Sequence, residues 1–199
     1  MEMKTDVGAA HARAIDQARR VVEGMTPEQL DAATPCREWT ARQLLNHFVG
    51  ANLMMATVGA GKTMDQGGSG TAAVATLGDV LGADPAGAYA SASAAALQAF
   101  TAPGALERPW KLPFAEMPGA AARNIHLVET LAHTWDLAKT TGQLDKLDPE
   151  LAVTGESVAR GFVQPQFRNE KGDPFAAEVS VPMSAGAYDR FAAFLGRTP

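Results

Sequence analysis

The chain has 199 residues, 46% of them hydrophobic and 20% charged, with a formal net charge of −5. That is enough apolar side chain for a globular core, and the 17 Lys and Arg are scattered, which excludes the basic face that nucleic-acid binding requires. The single cysteine, Cys36, excludes an internal disulfide and a four-cysteine zinc site and fits a reducing cytoplasm.

The N-terminal residues carry charge and show no signal-peptide core. A first helix is expected from about Thr5 to Glu23, with Ala9, Ala12, Ile15, Ala18 and Val22 as its apolar stripe and Gly24 as its stop. Thr26-Pro27-Glu28 reads as cap, first-turn proline and first-turn acid of a short helical turn. Thr34-Pro35-Cys36 breaks the chain, and Thr40 caps a second helix running from Ala41 to about Val58. Leu44 to Ala60 is the most apolar stretch, but Asn46, His47 and Asn52 interrupt it. It falls short of the roughly 20 residues of a membrane span and reads as a buried helix.

Gly59 to Gly82 is rich in small residues and reads as a flexible connection; its Gly67-Gly68-Ser69-Gly70 lacks the strand and Gly-Lys-Ser/Thr ending of a phosphate loop. A third helix starts at Asp84-Pro85 and reaches about Phe100. Pro103 to Pro118 is proline-rich and extended or turn-like, with no convincing strand pair. The fourth helix spans about Gly119 to Thr141 before Gly142, the fifth runs from Asp148-Pro149-Glu150 to about Phe162, and a short last helix covers Ala187 to Leu195. With no internal repeat, one domain over residues 1–199 is expected: an all-α four-helix bundle with an additional short helix and long connections.

Chemistry concentrates on two helices. His126, Glu129 and His133 are spaced by three and four, so they emerge from one stripe of the fourth helix. A solvated polar face explains that stripe on its own. His47 lies among Leu44, Leu45, Phe48, Ala51 and Met54, however, and a histidine buried on an apolar helix needs a partner. Two imidazoles and a carboxylate from facing helices match a three-ligand divalent site with an open position. On the residues alone, metal binding and a simple hydrogen-bonded core stand at even odds. His126 is read as an extra ligand or a partner orienting Glu129 from behind, or else as a pocket-lining or exposed residue. His11 is assigned no role.

Thr34-Pro35-Cys36-Arg37-Glu38-Trp39-Thr40-Ala41-Arg42-Gln43-Leu44-Leu45-Asn46-His47 resembles the N-terminal signature of the mycothiol-dependent maleylpyruvate isomerase family, whose metal-binding domain belongs to the DinB-like superfamily. Glu129-Thr130-Leu131-Ala132-His133-Thr134-Trp135-Asp136-Leu137-Ala138, with Thr141-Gly142-Gln143, resembles the second signature. Phe194-Leu195-Gly196-Arg197 is similar to the close of small actinobacterial metal-binding members. The resemblance implies a DinB-like bundle holding a divalent metal through His47, Glu129 and His133, usually zinc, with nickel or iron(II) admitted by the same donors. It further implies a low-molecular-weight thiol such as mycothiol, bound as thiolate and added to a small electrophile, in a cytoplasmic enzyme compatible with a homodimer. The isomerase proper carries a further domain that contributes to its active site, so maleylpyruvate isomerisation itself is not expected. A non-catalytic metal or small-molecule binder of the same fold is the alternative, and a metal-free bundle the third reading. Trp39, Trp135 and Leu137 read as packing anchors, Asp136 as a cap or ion-pair partner, and Cys36 as a small residue fixing its loop.

Overall fold

The computed structural model describes residues 6–37, 39–64, 69–168 and 175–199. The expected helix start at Thr5, Glu38 of the first signature, and Gly67-Gly68 lie outside the described residues. Helix α1 (Val7–Glu23) is capped by the Asp6 carboxylate, which accepts from the backbone N–H of Gly8 and Ala9. A 3₁₀ turn over Pro27–Asp31 follows. Helix α2 (Ala41–Gly59) opens with a capping box, Thr40 and Gln43 each accepting from the other's backbone N–H.

The connection after α2 is more ordered than its composition suggests. It holds helix α3 (Gly70–Ala75), begun by Ser69 and anchored by buried Val74. Val74 lies against Gly50, where an added Cβ would come within 2.4 Å of its side chain. Helix α4 (Pro85–Thr101) starts as expected, with Asp84 accepting from the Gly87 N–H.

The stretch read as unpaired contains an antiparallel hairpin, β1 (Pro109–Leu112) with β2 (Ala115–Pro118), in register Trp110 to Met117 and Lys111 to Glu116. Its signal is weak because each strand is four residues long and three of the strand ends are prolines or adjoin one, positions where a missing donor is tolerated. Tertiary packing fixes it: Trp110 is fully buried, stacks on Phe100 with centroids 4.5 Å apart, and donates its indole N–H to Ala105 O at 2.8 Å. Gly59 gives that indole room, since a Cβ there would sit 2.6 Å from Trp110 and from Ala99.

Helix α5 (Gly119–Thr141) ends at Gly142 in the left-handed conformation, with φ of 72°. Helix α6 (Pro149–Arg160) is capped by Asp148, and helix α7 (Ala187–Phe194) follows a 3₁₀ turn over Pro165–Phe167. Helices α1 and α2 each pack on both α4 and α5, closing a four-helix ring in the order α1, α4, α2, α5. Ring contacts Phe48–Tyr89 on one level and Gly59–Ala99 further on make α2 and α4 run together. His11–His126 and Val21–Gln143 contacts make α1 and α5 run together, opposite to the other pair. Helices α6 and α7 pack on each other and on the outer face of α5. With α1 and α2 on the inner face, that cover buries every residue from Thr130 to Ala138; of the polar stripe, His126 and His133 are buried and Glu129 is half-buried. Among the described residues no helix is long and apolar enough to cross a membrane.

Candidate metal centre

The loop before α2 folds on Thr34, whose hydroxyl donates to the carbonyls of Cys36 and Trp39. An Ala33–Thr40 bridge closes it. The loop carries Trp39 over His47, with ring centroids 4.7 Å apart, and tucks Cys36 toward α5. His47 in turn meets His133 edge-on at 5.2 Å, and Phe48 lies 5.7 Å from the same ring. Helices α2 and α5 thus bring together the two imidazoles singled out from the sequence.

Their electrostatics suit metal ligation. Burial, and next the proximity of His133, lower His47 to about 3, so its ring is neutral at physiological pH and keeps a lone pair. Glu129 stands one turn before His133 on the same helix. Burial pushes its carboxyl up, while His133 and Arg197 pull it back down. Among the described residues neither His47 nor Glu129 makes a hydrogen bond or ion pair, although with His133 they do not form a group whose ligand atoms all lie within 4.8 Å of one another. That donor set fits zinc or a related divalent ion.

Behind His133 lies a network that the sequence does not announce. His133 Nδ1 is 3.3 Å from Asp136 Oδ2. Asp136 is fully buried, and Arg197 grips both of its oxygens, Nε donating to Oδ1 at 3.1 Å and Nη2 to Oδ2 at 2.9 Å. Burial would raise the Asp136 carboxyl, but Arg197 and the His133 bond hold it well below the usual carboxylate range. An ionised carboxylate only accepts, so Nδ1 of His133 is the donor to Asp136 and Nε2 faces away from it. The Cys36 thiol donates to Asp136 Oδ2 at 3.2 Å.

Cys36, His133 and Asp136 together offer ligand atoms within 4.8 Å of one another. We read this group as support, not as the ion site: both Asp136 oxygens are taken by a guanidinium, whose charge opposes a cation there. Burial and the neighbouring Asp136 push the Cys36 thiol up to about 12, so the helix terminus does not activate it.

His126 is placed elsewhere. Its Nδ1 lies 2.7 Å from His11 Nε2, two turns and roughly 10 Å along α5 from His133. It does not orient Glu129. His11 lines a cleft of about 340 Å³ with Phe100, Glu107 and Arg123, and His126 sits behind it with Nε2 buried and unpartnered. His11, Asp136 and Arg197 are the residues that sequence reading missed or underused. His11 sits on the apolar stripe side of α1, which is a signal of burial; Arg197 is marked only by the resemblance of Phe194-Leu195-Gly196-Arg197 to the close of family members, which gives it no role.

The model of the family described as "Mycothiol maleylpyruvate isomerase N-terminal domain" matches residues 11–138. Two uncharacterized proteins of Mycobacterium tuberculosis, one from strain CDC 1551 / Oshkosh and one from strain ATCC 25618 / H37Rv, are each 38% identical over 192 residues, covering 95% of this chain and 96% of theirs. No solved structure gives a significant match.

Proposed function

Since the chain belongs to the mycothiol maleylpyruvate isomerase N-terminal domain family, we propose that it is a metal-dependent thiol S-transferase, acting on a small electrophile through His47, Glu129 and His133. The observation that carries this reading is the meeting of two buried imidazoles, 5.2 Å apart, beside a carboxylate with no partner among the described residues. When bound, a divalent ion, zinc first, supplies the positive charge that holds a thiol such as mycothiol as thiolate near neutral pH.

The chain's own residues do the rest. His47 offers a neutral nitrogen, and Asp136 fixes the ring of His133 by accepting from Nδ1. Trp39 and Phe48 wall the imidazoles and limit water at the site. Glu129 is needed as a ligand and is a poor choice of base. A reducing cytoplasm suits this chemistry, because an oxidised thiol is no nucleophile.

The test is elemental analysis of protein purified without a histidine tag, followed by thiol consumption assays with mycothiol and small electrophiles. About one divalent ion per chain and thiol-dependent turnover are expected, both lost in His47→Ala and His133→Ala. Metal without turnover for any thiol would leave a non-catalytic binder; full occupancy in the His47→Ala, His133→Ala double variant would sink the site itself.

A further inference from the structure

We propose that Arg197 is a positioning residue of the metal centre, locking His133 in its metal-binding orientation through Asp136 although it lies outside the segment that defines the family. This rests on the reading of His47, Glu129 and His133 as ligands.

The local chain is built to deliver this side chain. Helix α7 ends in a Schellman motif: Arg197 N–H donates to Ala192 O at 3.0 Å and Gly196 N–H to Ala193 O at 3.0 Å. Gly196 has φ of 87°, which an L side chain rarely adopts, and a Cβ there would fall 2.6 Å from Ala176. The turn reverses the chain onto α5, and the guanidinium lands on Asp136, 61 positions earlier in sequence. Its side chain is 15% exposed and that of Asp136 0%.

A fork of two parallel N–H bonds fixes the plane of a carboxylate, which a single point charge does not. The Asp136 plane in turn fixes where Oδ2 sits for His133 Nδ1. Without Arg197 the carboxylate would be buried and unpaired, would protonate or turn toward other donors, and would release the ring. Elsewhere, partners of metal-bound histidines typically carry 10–100-fold in metal affinity.

The test measures cobalt affinity by chelator competition, per folded molecule, with the folded fraction taken from circular dichroism. Wild type and His47→Ala come first: if wild type binds no tighter than His47→Ala, the proposed ligands fail, and this inference with them. Given a wild-type site, Arg197→Gln should weaken cobalt binding about 10–100-fold and alter the cobalt absorption bands. Arg197→Gln with Asp136→Asn removes the unpaired buried charge, so it should regain stability yet keep the weakened binding. Wild-type affinity and bands in that folded double variant would make Arg197 a purely structural clasp and overturn the proposal. Should both variants fail to fold, nuclear magnetic resonance of wild-type zinc protein decides. A protected Nδ1 proton with Nε2 coordination at His133 is expected, and Nδ1 coordination overturns the proposal.

Discussion

His11 Nε2 and His126 Nδ1 share one hydrogen bond of 2.7 Å inside the bundle, joining α1 to α5. Only one proton can occupy that line, so the two rings cannot both be charged. Burial, helped by Arg123, lowers His11 to about 4, and burial with His11 nearby lowers His126 well below the usual 6.5.

A pH dependence follows. Between about 6.5 and 4 the unfolded chain takes up protons at these histidines and the folded chain does not, so stability rises with pH in that window. The contribution is fully present above about 6.5 and is lost as pH falls toward 4. Each such histidine contributes a slope of up to about 1.4 kcal/mol per pH unit. Urea midpoints of metal-free protein across this range should fall steadily with acid, and less so in His11→Asn. An unchanged acid slope in that variant would refute the assignment.

The Cys36 thiol should be sluggish. With its ionisation pushed from 9.0 to about 12, the thiolate fraction near pH 8 is roughly 10³-fold below that of an ordinary cysteine, since only the thiolate reacts. A disulfide reagent should label native protein far more slowly than urea-unfolded protein. Fast labelling at wild-type stability would mean that the thiol bond to Asp136 does not form.

Removing the ion should leave the helices in place. The apolar core runs through α1, α2, α4, α5, α6 and α7, with a second cluster under the hairpin, and both are held together by side chains that bind no ion. Small metal domains differ, because ion binding supplies most of their folding energy. Far-ultraviolet circular dichroism should survive chelation with only a lower melting temperature. A collapse without aggregation would mark the ion as structural.

Gly196→Ala should cost at least about 1 kcal/mol for its left-handed backbone, plus the clash with Ala176. Gly61→Ala is the matched control, with φ of 78° and nothing within 4 Å. Urea unfolding should show the larger loss at Gly196, along with a weaker cobalt site. Equal losses at both positions would remove the close-packing argument.

Most helices were legible because their signals are local. The Asp84-Pro85 and Asp148-Pro149 starts and the Gly142 stop fall where expected, since capping and left-handed ends are written in one or two residues. The hairpin and α3 were not, because what orders them is distant: Phe100 under Trp110, and Gly50 under Val74. At the site, helical spacing revealed the donors on α5 and the apolar setting of His47. It could not reveal Arg197, whose partner lies 61 residues away, or the pairing of His11 with His126, which depends on two helices running the same way.

The indole lying on His47 makes the protein its own optical gauge. Of its three tryptophans, Trp110 and Trp135 are sealed in the interior, and Trp39 alone touches a proposed ligand, at 4.7 Å. Cobalt or nickel held by that imidazole would drain the excited state of Trp39, whereas zinc, with its filled d shell, would leave it bright. Loading of the site, exchange of one ion for another, and the arrival of a thiol that reshuffles the ligands all become changes in emission, with Trp39→Phe as the dark reference.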